Sequence, residues 1–286
     1  MLLSQAIHLF DLHLSAIDRS EQTRSGYQKD LTQFHRFLED QYNCPPYLED
    51  VKLSDLEAYL SWLKEEKEYA PASRSRNLYT LRSFYNYCYK KELVERNIAF
   101  SLENIKLQQK ERTYLTEPEV NELVQAIDHD LIRLVVTFLY YTGLRISECL
   151  NLKVDDVDLN RQMVHVRAGK GNKDRVVPLS DKIVPLLREY SEHVRPQTSD
   201  RFFATDKTGK LSPVYVNRVL AETTEKLGWK KIVTAHILRH SFASQLVKKD
   251  VNLVQIQKLL GHSSLKVTSI YTHADTDQLK DAVSVL

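Results

Sequence analysis

The sequence predicts a mainly α-helical protein of two domains, the second carrying a small β-hairpin or sheet. Three observations predict it. Through the first hundred residues apolar side chains recur three and four apart and glycine is nearly absent, the period of amphipathic helices. Residues 97–115, NIAFSLENIKLQQKERTYL, are polar and hold no sustained period, as a linker does. Residues 162–179 then alternate in MVHVR, break in GKGNKDR and resume as VVPL, the pattern of two strands joined by a turn. A chain of 286 residues is long enough for two domains with separate cores. The expected division is a helical domain 1–106, a linker 107–115 and a second domain 116–286.

Four helices are expected in the first domain, near 3–17, 22–40, 55–67 and 72–91. Ser54 with Glu57 reads as a capping box opening the third, and Pro71 stands just ahead of the fourth. The second domain opens with Thr116 and Glu119, another capping-box pair, and runs into LIRLVVTFLYYTG, where Gly143 suits a left-handed helix end. From Ser212-Pro213 the chain reads as helical to Gly228, then over 237–248, 253–260 and 264–271, with Gly261 capping the break between the last two.

Composition narrows the function classes. Cys44, Cys88 and Cys149 are far apart and form no C-x-x-C pair, so neither a disulfide framework nor a zinc ribbon is expected. No apolar run approaches a membrane span and MLLSQAIHLFDLHLS lacks a basic signal-peptide start, so the expectation is a soluble, cytoplasmic chain with no membrane partner. A net charge of +2 says little about nucleic acid, whose binders are recognised by clustered charge. Clusters are present. Residues 70–91 hold Arg74, Arg76, Arg82, Lys90 and Lys91 with no acid, whereas residues 48–68 hold seven acids and three bases. The first segment is suited to phosphate and the second to water.

Four fragments stand out: TGLRISE at 142–148, GKGNKDR at 169–175, HILRHSFAS at 236–244 and LLGHSSLKVTSIYTH at 259–273. Taken singly, Arg145 is an ordinary helix-start arginine, Lys170 a solvated turn lysine and Tyr271 one packing tyrosine among fifteen. Two arginines together suit a harder task. Phosphoryl transfer asks a protein mainly to position the reactants and to stabilise charge spreading over non-bridging oxygens. Rigid guanidinium forks do both and keep their protons. His236 and Arg239, three apart, share a helix face from which His240 turns away, so His240 reads as structural. His236 and His240, four apart, could also be read as metal ligands, but HILRH lacks the glutamate of H-E-x-x-H and a third ligand at a persuasive spacing. No metal or other cofactor is expected.

Together these fragments resemble the tyrosine recombinase or phage-integrase family, including the Xer recombinases. The resemblance covers the whole second domain and, more loosely, the first, which is similar to the family's SAM-like core-binding domain. It implies a DNA clamp whose catalytic residues are Arg145, Lys170, His236, Arg239, His262 and Tyr271. It implies that Lys170 protonates the departing deoxyribose 5′ oxygen, since an alkoxide is a poor leaving group; Lys173 is a rival by spacing, which the family's G-K-G-N-K stretch disfavours. Tyr271, a phenol with pKa near 10, would attack phosphorus with cations stabilising its oxyanion, and the ester formed would conserve the bond energy for rejoining. His262 either donates to the same phosphate or satisfies the helix end beside Gly261; the resemblance implies the first. Glu148 reads equally as an exposed helix acid or as the partner that holds Arg145. Arg74, Arg76, Arg82, Lys173 and Arg175 are the expected DNA contacts.

The implied substrate is duplex DNA with two inverted core half-sites, and the implied assembly is a tetramer on DNA through exchange of a carboxy-terminal tail that includes Leu279, Val283, Val285 and Leu286. The resemblance leads to the expectation that the chain starts directly in the core-binding helices, without room for an arm-binding domain. That fits dimer resolution, transposon resolution or simple element integration. Ala235 departs from the proline usual before H-x-x-R-H in Xer chains, which bears on subfamily rather than on chemistry. Two other readings stay open: a type IB topoisomerase-like enzyme that relaxes DNA with the same phosphotyrosine, and a DNA-binding module without chemistry. Because bound phosphates release counterions, affinity for a half-site should fall on the order of a thousandfold between about 50 and 200 mM salt for roughly six phosphate contacts. A flat response in a titration across that range would remove the phosphate-facing role of residues 70–91.

Overall fold

Each helix of the first hundred residues buries the stripe its period dictates. The computed structural model describes residues 1–107, 113–167 and 174–261, and the chain divides into the units Met1–Lys110 and Glu111–Leu286. The first unit holds helices α1 (Leu3–Ala16), α2 (Glu21–Tyr42), α3 (Leu53–Glu65) and α4 (Pro71–Lys90), with 3-10 turns at Leu48–Asp50, between α2 and α3, and at Ile98–Ser101, after α4. Their buried faces are Leu3, Ile7, Phe10 and Leu14; Leu31, Phe34 and Leu38; Leu56, Tyr59 and Leu63; and Leu78, Leu81, Phe84 and Cys88. Full burial of such a side chain stabilises by roughly 1.5–3 kcal/mol, so this shared core holds the helices in place.

The start of α3 differs from expectation. It begins at Leu53, and the carboxylate that reaches back is Asp55, whose Oδ2 accepts from the Lys52 backbone N–H at 2.7 Å. Asp55 also accepts from the Tyr42 hydroxyl at 2.8 Å, a tertiary bond that Glu57 has no counterpart to among the described contacts. Pro71 is the first residue of α4 rather than its predecessor, the position where its missing N–H leaves no bond unmade.

The second unit runs α5 (Glu117–Ala126), α6 (Asp130–Thr142), α7 (Ile146–Asn151), β1 (Val157–Asp158), β2 (Met163–Val166), β3 (Arg175–Pro178), α8 (Val184–Glu189), α9 (Pro213–Lys226), α10 (Ala235–Lys248) and α11 (Leu253–Leu260). The Thr116 N–H donates to Glu119 Oε2 at 2.9 Å and opens α5 as the sequence suggests, and the Ser212 hydroxyl accepts from Val214 N–H at the start of α9. The strands form one antiparallel sheet in the order β1, β2, β3, with Val164 opposite Val177 and Val166 opposite Arg175. Two elements escaped the sequence reading. Strand β1 is only two residues long, and α8 continues into a wider turn, Tyr190–Val194, that carries no clear helical stripe. The expected helix 264–271 and most of the hairpin tip lie outside the described residues. Among the described residues no helix is long and apolar enough to cross a membrane.

Helix α6 is the spine of this unit. Ile132, Val135, Val136, Phe138 and Leu139 are fully buried, and α10 packs along it through Leu238 and its neighbours. Where α6 stops, Gly143 adopts φ +63°, and a Cβ there would lie 2.3 Å from Phe242 Cδ1 on α10. Glycine is therefore required twice, by its dihedral angle and by the ring pressed against it. Replacing Gly143 by alanine should destabilise this unit by about 3 kcal/mol. Urea unfolding followed by Trp229 fluorescence, with Trp62→Phe removing the other indole, measures it; an unchanged midpoint would mean that Phe242 yields without penalty.

Candidate active site

The start of α7, strand β3 and helix α10 bring three arginines around the Glu148 carboxylate. After Gly143 turns the chain, Arg145 caps α7 in extended geometry, φ −68° and ψ 147°. Glu148, one helical turn on, reaches back: its Oε2 accepts from the Arg145 backbone N–H at 2.8 Å and its Oε1 from Arg145 Nη1 at 2.7 Å. The spacing of three places the carboxylate at the positive end of α7, where helix geometry and dipole both favour it. Arg145 keeps a side-chain exposure of 38%, so its guanidinium is at once anchored and accessible.

Arg175 approaches the same carboxylate from β3. Its Nη1 and Nη2 donate to Glu148 Oε1 and Oε2 at 3.0 and 2.8 Å, a two-pronged pairing, while Nε donates to the Leu259 carbonyl at 2.9 Å. Arg239, on α10, is the most enclosed of the three, with 2% of its surface exposed. It donates to the carbonyls of Gly143 at 2.8 Å and Leu260 at 2.6 Å, and its Nη1 stands 3.9 Å from Glu148 Oε2. The last carbonyls of α11 thus receive two cationic donors, as the negative end of a helix prefers. Gly261 closes α11 at φ +65°, and a Cβ there would meet Arg175 Nη1 at 2.9 Å.

Among the described residues one carboxylate faces three guanidiniums, so this part of the cluster retains positive charge in a largely water-excluded setting. Burial alone would push the Glu148 carboxyl upward; the hydrogen bonds and charge of Arg175 and the bonds from Arg145 override it and bring its pKa down to about 2. Glu148 is therefore ionised at any physiological pH. Such an arrangement can receive a phosphodiester, whose non-bridging oxygens match the guanidinium forks.

The remaining expected residues are placed as follows. His236 is exposed at the start of α10 and meets the ring of His240 edge to face, centroids 4.4 Å apart; His240 itself is buried. Among the described residues no cluster of His, Cys, Asp or Glu is arranged to hold a metal ion. Lys170, Lys173, His262 and Tyr271 lie outside the described residues. In the first unit, Arg76 reaches the buried Asp30 at 2.6 Å, while Arg82 donates to Asn104 at 2.8 Å and to the Leu102 carbonyl; Arg74 is half-buried. Arg175, expected on the DNA surface, is turned inward instead, because a largely enclosed carboxylate and a helix end both demand its donors.

Comparison with known proteins decides the family. A tyrosine recombinase of Thermosipho africanus is 33% identical over 292 residues, covering 99% of this chain and 100% of that protein. Tyrosine recombinase XerA of Pyrococcus furiosus is 36% identical over 289 residues, covering 98% and 93%. A crystal structure of XerH site-specific recombinase bound to a palindromic difH substrate matches with a TM-score of 0.73 at 26% identity, covering 92% of this chain and 80% of that one. The model of the phage integrase family matches residues 113–278, and that of the phage integrase N-terminal SAM-like domain matches residues 7–92. The chain belongs to the phage integrase family.

For a phage-integrase chain, the arginine, glutamate and histidine positions were all within reach of motif reading, but the inward role of Arg175 was not. A signal existed in the burial pattern: Arg175 pairs with Val166, whose side chain points into the core. A carboxyl whose pKa falls on folding from 4.5 to about 2 stabilises the native state above the higher value, and that contribution fades as pH drops toward the lower. The shift corresponds to roughly 3 kcal/mol at neutral pH. Glu148→Gln should lose about that much in urea unfolding at pH 7, and the advantage of the native chain should shrink as pH is lowered from about 5 to 3. A gap that stays constant over that range would mean that Glu148 is not the titrating group.

Proposed function

We propose that this phage-integrase chain is a site-specific DNA recombinase that cleaves and rejoins duplex DNA through a 3′-phosphotyrosyl bond to Tyr271, exchanging strands by way of a Holliday junction. The observation that carries the reading is the pair Arg145 and Arg239, both standing against the Glu148 carboxylate with positive charge in excess. The scissile phosphate would replace water on that charged face. The Tyr271 hydroxyl gives up its proton to water or a neighbouring base as its oxygen attacks phosphorus, the bond to the deoxyribose 5′ oxygen breaks, and that oxygen takes a proton from Lys170. Arg145, Arg239, His236 and His262 hold the non-bridging oxygens as charge builds on them. Attack by a free 5′ hydroxyl reverses every step, so rejoining needs no ATP.

The helical domain 1–106 and the catalytic domain 116–286 would each contact the duplex, the former through the segment containing Arg74, Arg76 and Arg82. The substrate is a core site of two inverted half-sites, and four protomers assemble on two such sites in the cytoplasm. Curated relatives named as Xer recombinases and a relative crystallised on a DNA substrate support this reading.

The decisive test is the trapped adduct. Incubated with nicked core-site DNA, the wild-type chain should form a covalent complex, Tyr271→Phe none at all, and Arg145→Ala or Arg239→Ala complexes that form about 100- to 1000-fold more slowly. Lys170→Ala should recover on a substrate with a 5′-bridging sulfur, which leaves without a proton. Chelator should change none of these rates. An adduct in Tyr271→Phe would overturn the mechanism, and relaxation of supercoiled DNA without strand exchange between sites would favour the topoisomerase-like reading.

A further inference from the structure

All three donor nitrogens of Arg175 are directed at protein acceptors: Nε at the Leu259 carbonyl, Nη1 and Nη2 at the two oxygens of Glu148. Its side chain is 9% exposed, against 38% for Arg145. It belongs to β3, whose partner strand lies across the hairpin from it, so it joins three separate pieces of backbone: the hairpin, the start of α7 and the end of α11. The space it fills over Gly261 admits no side chain on that residue. A phosphate ligand needs a donor left for the phosphate, and Arg175 commits all three of its nitrogens to protein acceptors. A brace needs them pointing inward, at groups that would otherwise wander.

We infer that Arg175 is a positioning residue for DNA cleavage, one that holds the Glu148 carboxylate in two-pronged geometry so that Glu148 in turn holds the Arg145 guanidinium for the phosphate, while tying the hairpin strand to the end of α11. This rests on the recombinase reading above. With Arg175 in place, Glu148 has no rotamer to choose: both oxygens are committed on one side, and Arg145 receives a fixed acceptor on the other. Without it, the carboxylate is free to swing toward Arg239, 3.9 Å from its Oε2, and Arg145 loses its anchor. Misplacement of a charge-stabilising group by about an ångström is enough to slow a reaction roughly 100-fold. The identity of the residue matters as well as its charge, since lysine cannot supply a planar fork.

The test separates positioning from DNA contact and from the recombinase reading itself. Arg175→Lys keeps the charge and loses the fork; single-turnover cleavage of nicked core-site DNA should slow about 10- to 100-fold. Half-site affinity and its dependence on salt should stay as in the wild type, because no phosphate contact is removed. Combined with Glu148→Gln, the Arg175→Lys change should slow cleavage no further than Glu148→Gln does alone, since both act through one carboxylate. If a single variant loses the Trp229 unfolding transition, the paired Glu148→Gln/Arg175→Gln chain, in which both charges leave together, is compared with Glu148→Gln in its place and should cleave equally slowly. A salt slope shallower by about one with cleavage unimpaired would make Arg175 a phosphate ligand, and multiplying effects in the double variant would separate it from Glu148; either overturns the inference. Absence of a covalent adduct with the wild-type chain would instead sink the recombinase reading, leaving the two failures distinguishable.

Discussion

The Glu148 carboxylate is the group on which the described half of the site depends. Three guanidiniums lie within 4 Å of it, and in a water-excluded setting three like charges without a counter-ion would drive one another toward solvent. With it, each is held by a different edge: Arg145 from the start of α7, Arg175 from the sheet, Arg239 from α10. One acid for three bases is also the ratio that leaves the site cationic. A second carboxylate would halve the excess positive charge that receives a phosphate.

Two glycines make that convergence possible. Gly143 and Gly261 end α6 and α11 in the left-handed conformation, and each is pressed by a side chain that a Cβ would displace, Phe242 in one case and Arg175 in the other. Because the helices stop there, their terminal carbonyls are left without intrahelical donors, and arginines supply them. The same backbone groups that close the helices therefore orient the cations. Stability and site geometry share these bonds, which couples any loosening of the helix ends to loss of charge placement.

The helical domain shows how a surface charge pattern translates into structure only in part. Residues 70–91 are basic as read from the chain, and Lys90 and Lys91 are exposed at the end of α4. Arg76, however, reaches Asp30, a carboxylate at 2% exposure that also accepts from Thr80, and Arg82 holds the segment after the last 3-10 turn. The basic run is at once a candidate phosphate surface and part of the fold's internal wiring. Arg76 keeps a side-chain exposure of 49% while paired to Asp30, so both roles are available to it.

What the sequence by itself determined are the relations that covalent geometry reaches. Helix period set which faces of α1 to α4 are buried, alternation set the β2–β3 hairpin, and the three-residue spacing of Arg145 and Glu148 placed a carboxylate one turn from a helix-capping arginine. The motif spacings carried the family as well, because each fragment is local even though the site is not. Tertiary structure alone decided where the long side chains point. Asp55 rather than Glu57 serves the start of α3 because Tyr42 from another helix meets it there, and Arg175 faces inward because Glu148 and the Leu259 carbonyl, 27 and 84 residues away in the chain, converge on it. An arginine has several rotatable bonds and almost no preference among their directions until acceptors fix them, and acceptors so distant in sequence are brought to it only when the core closes.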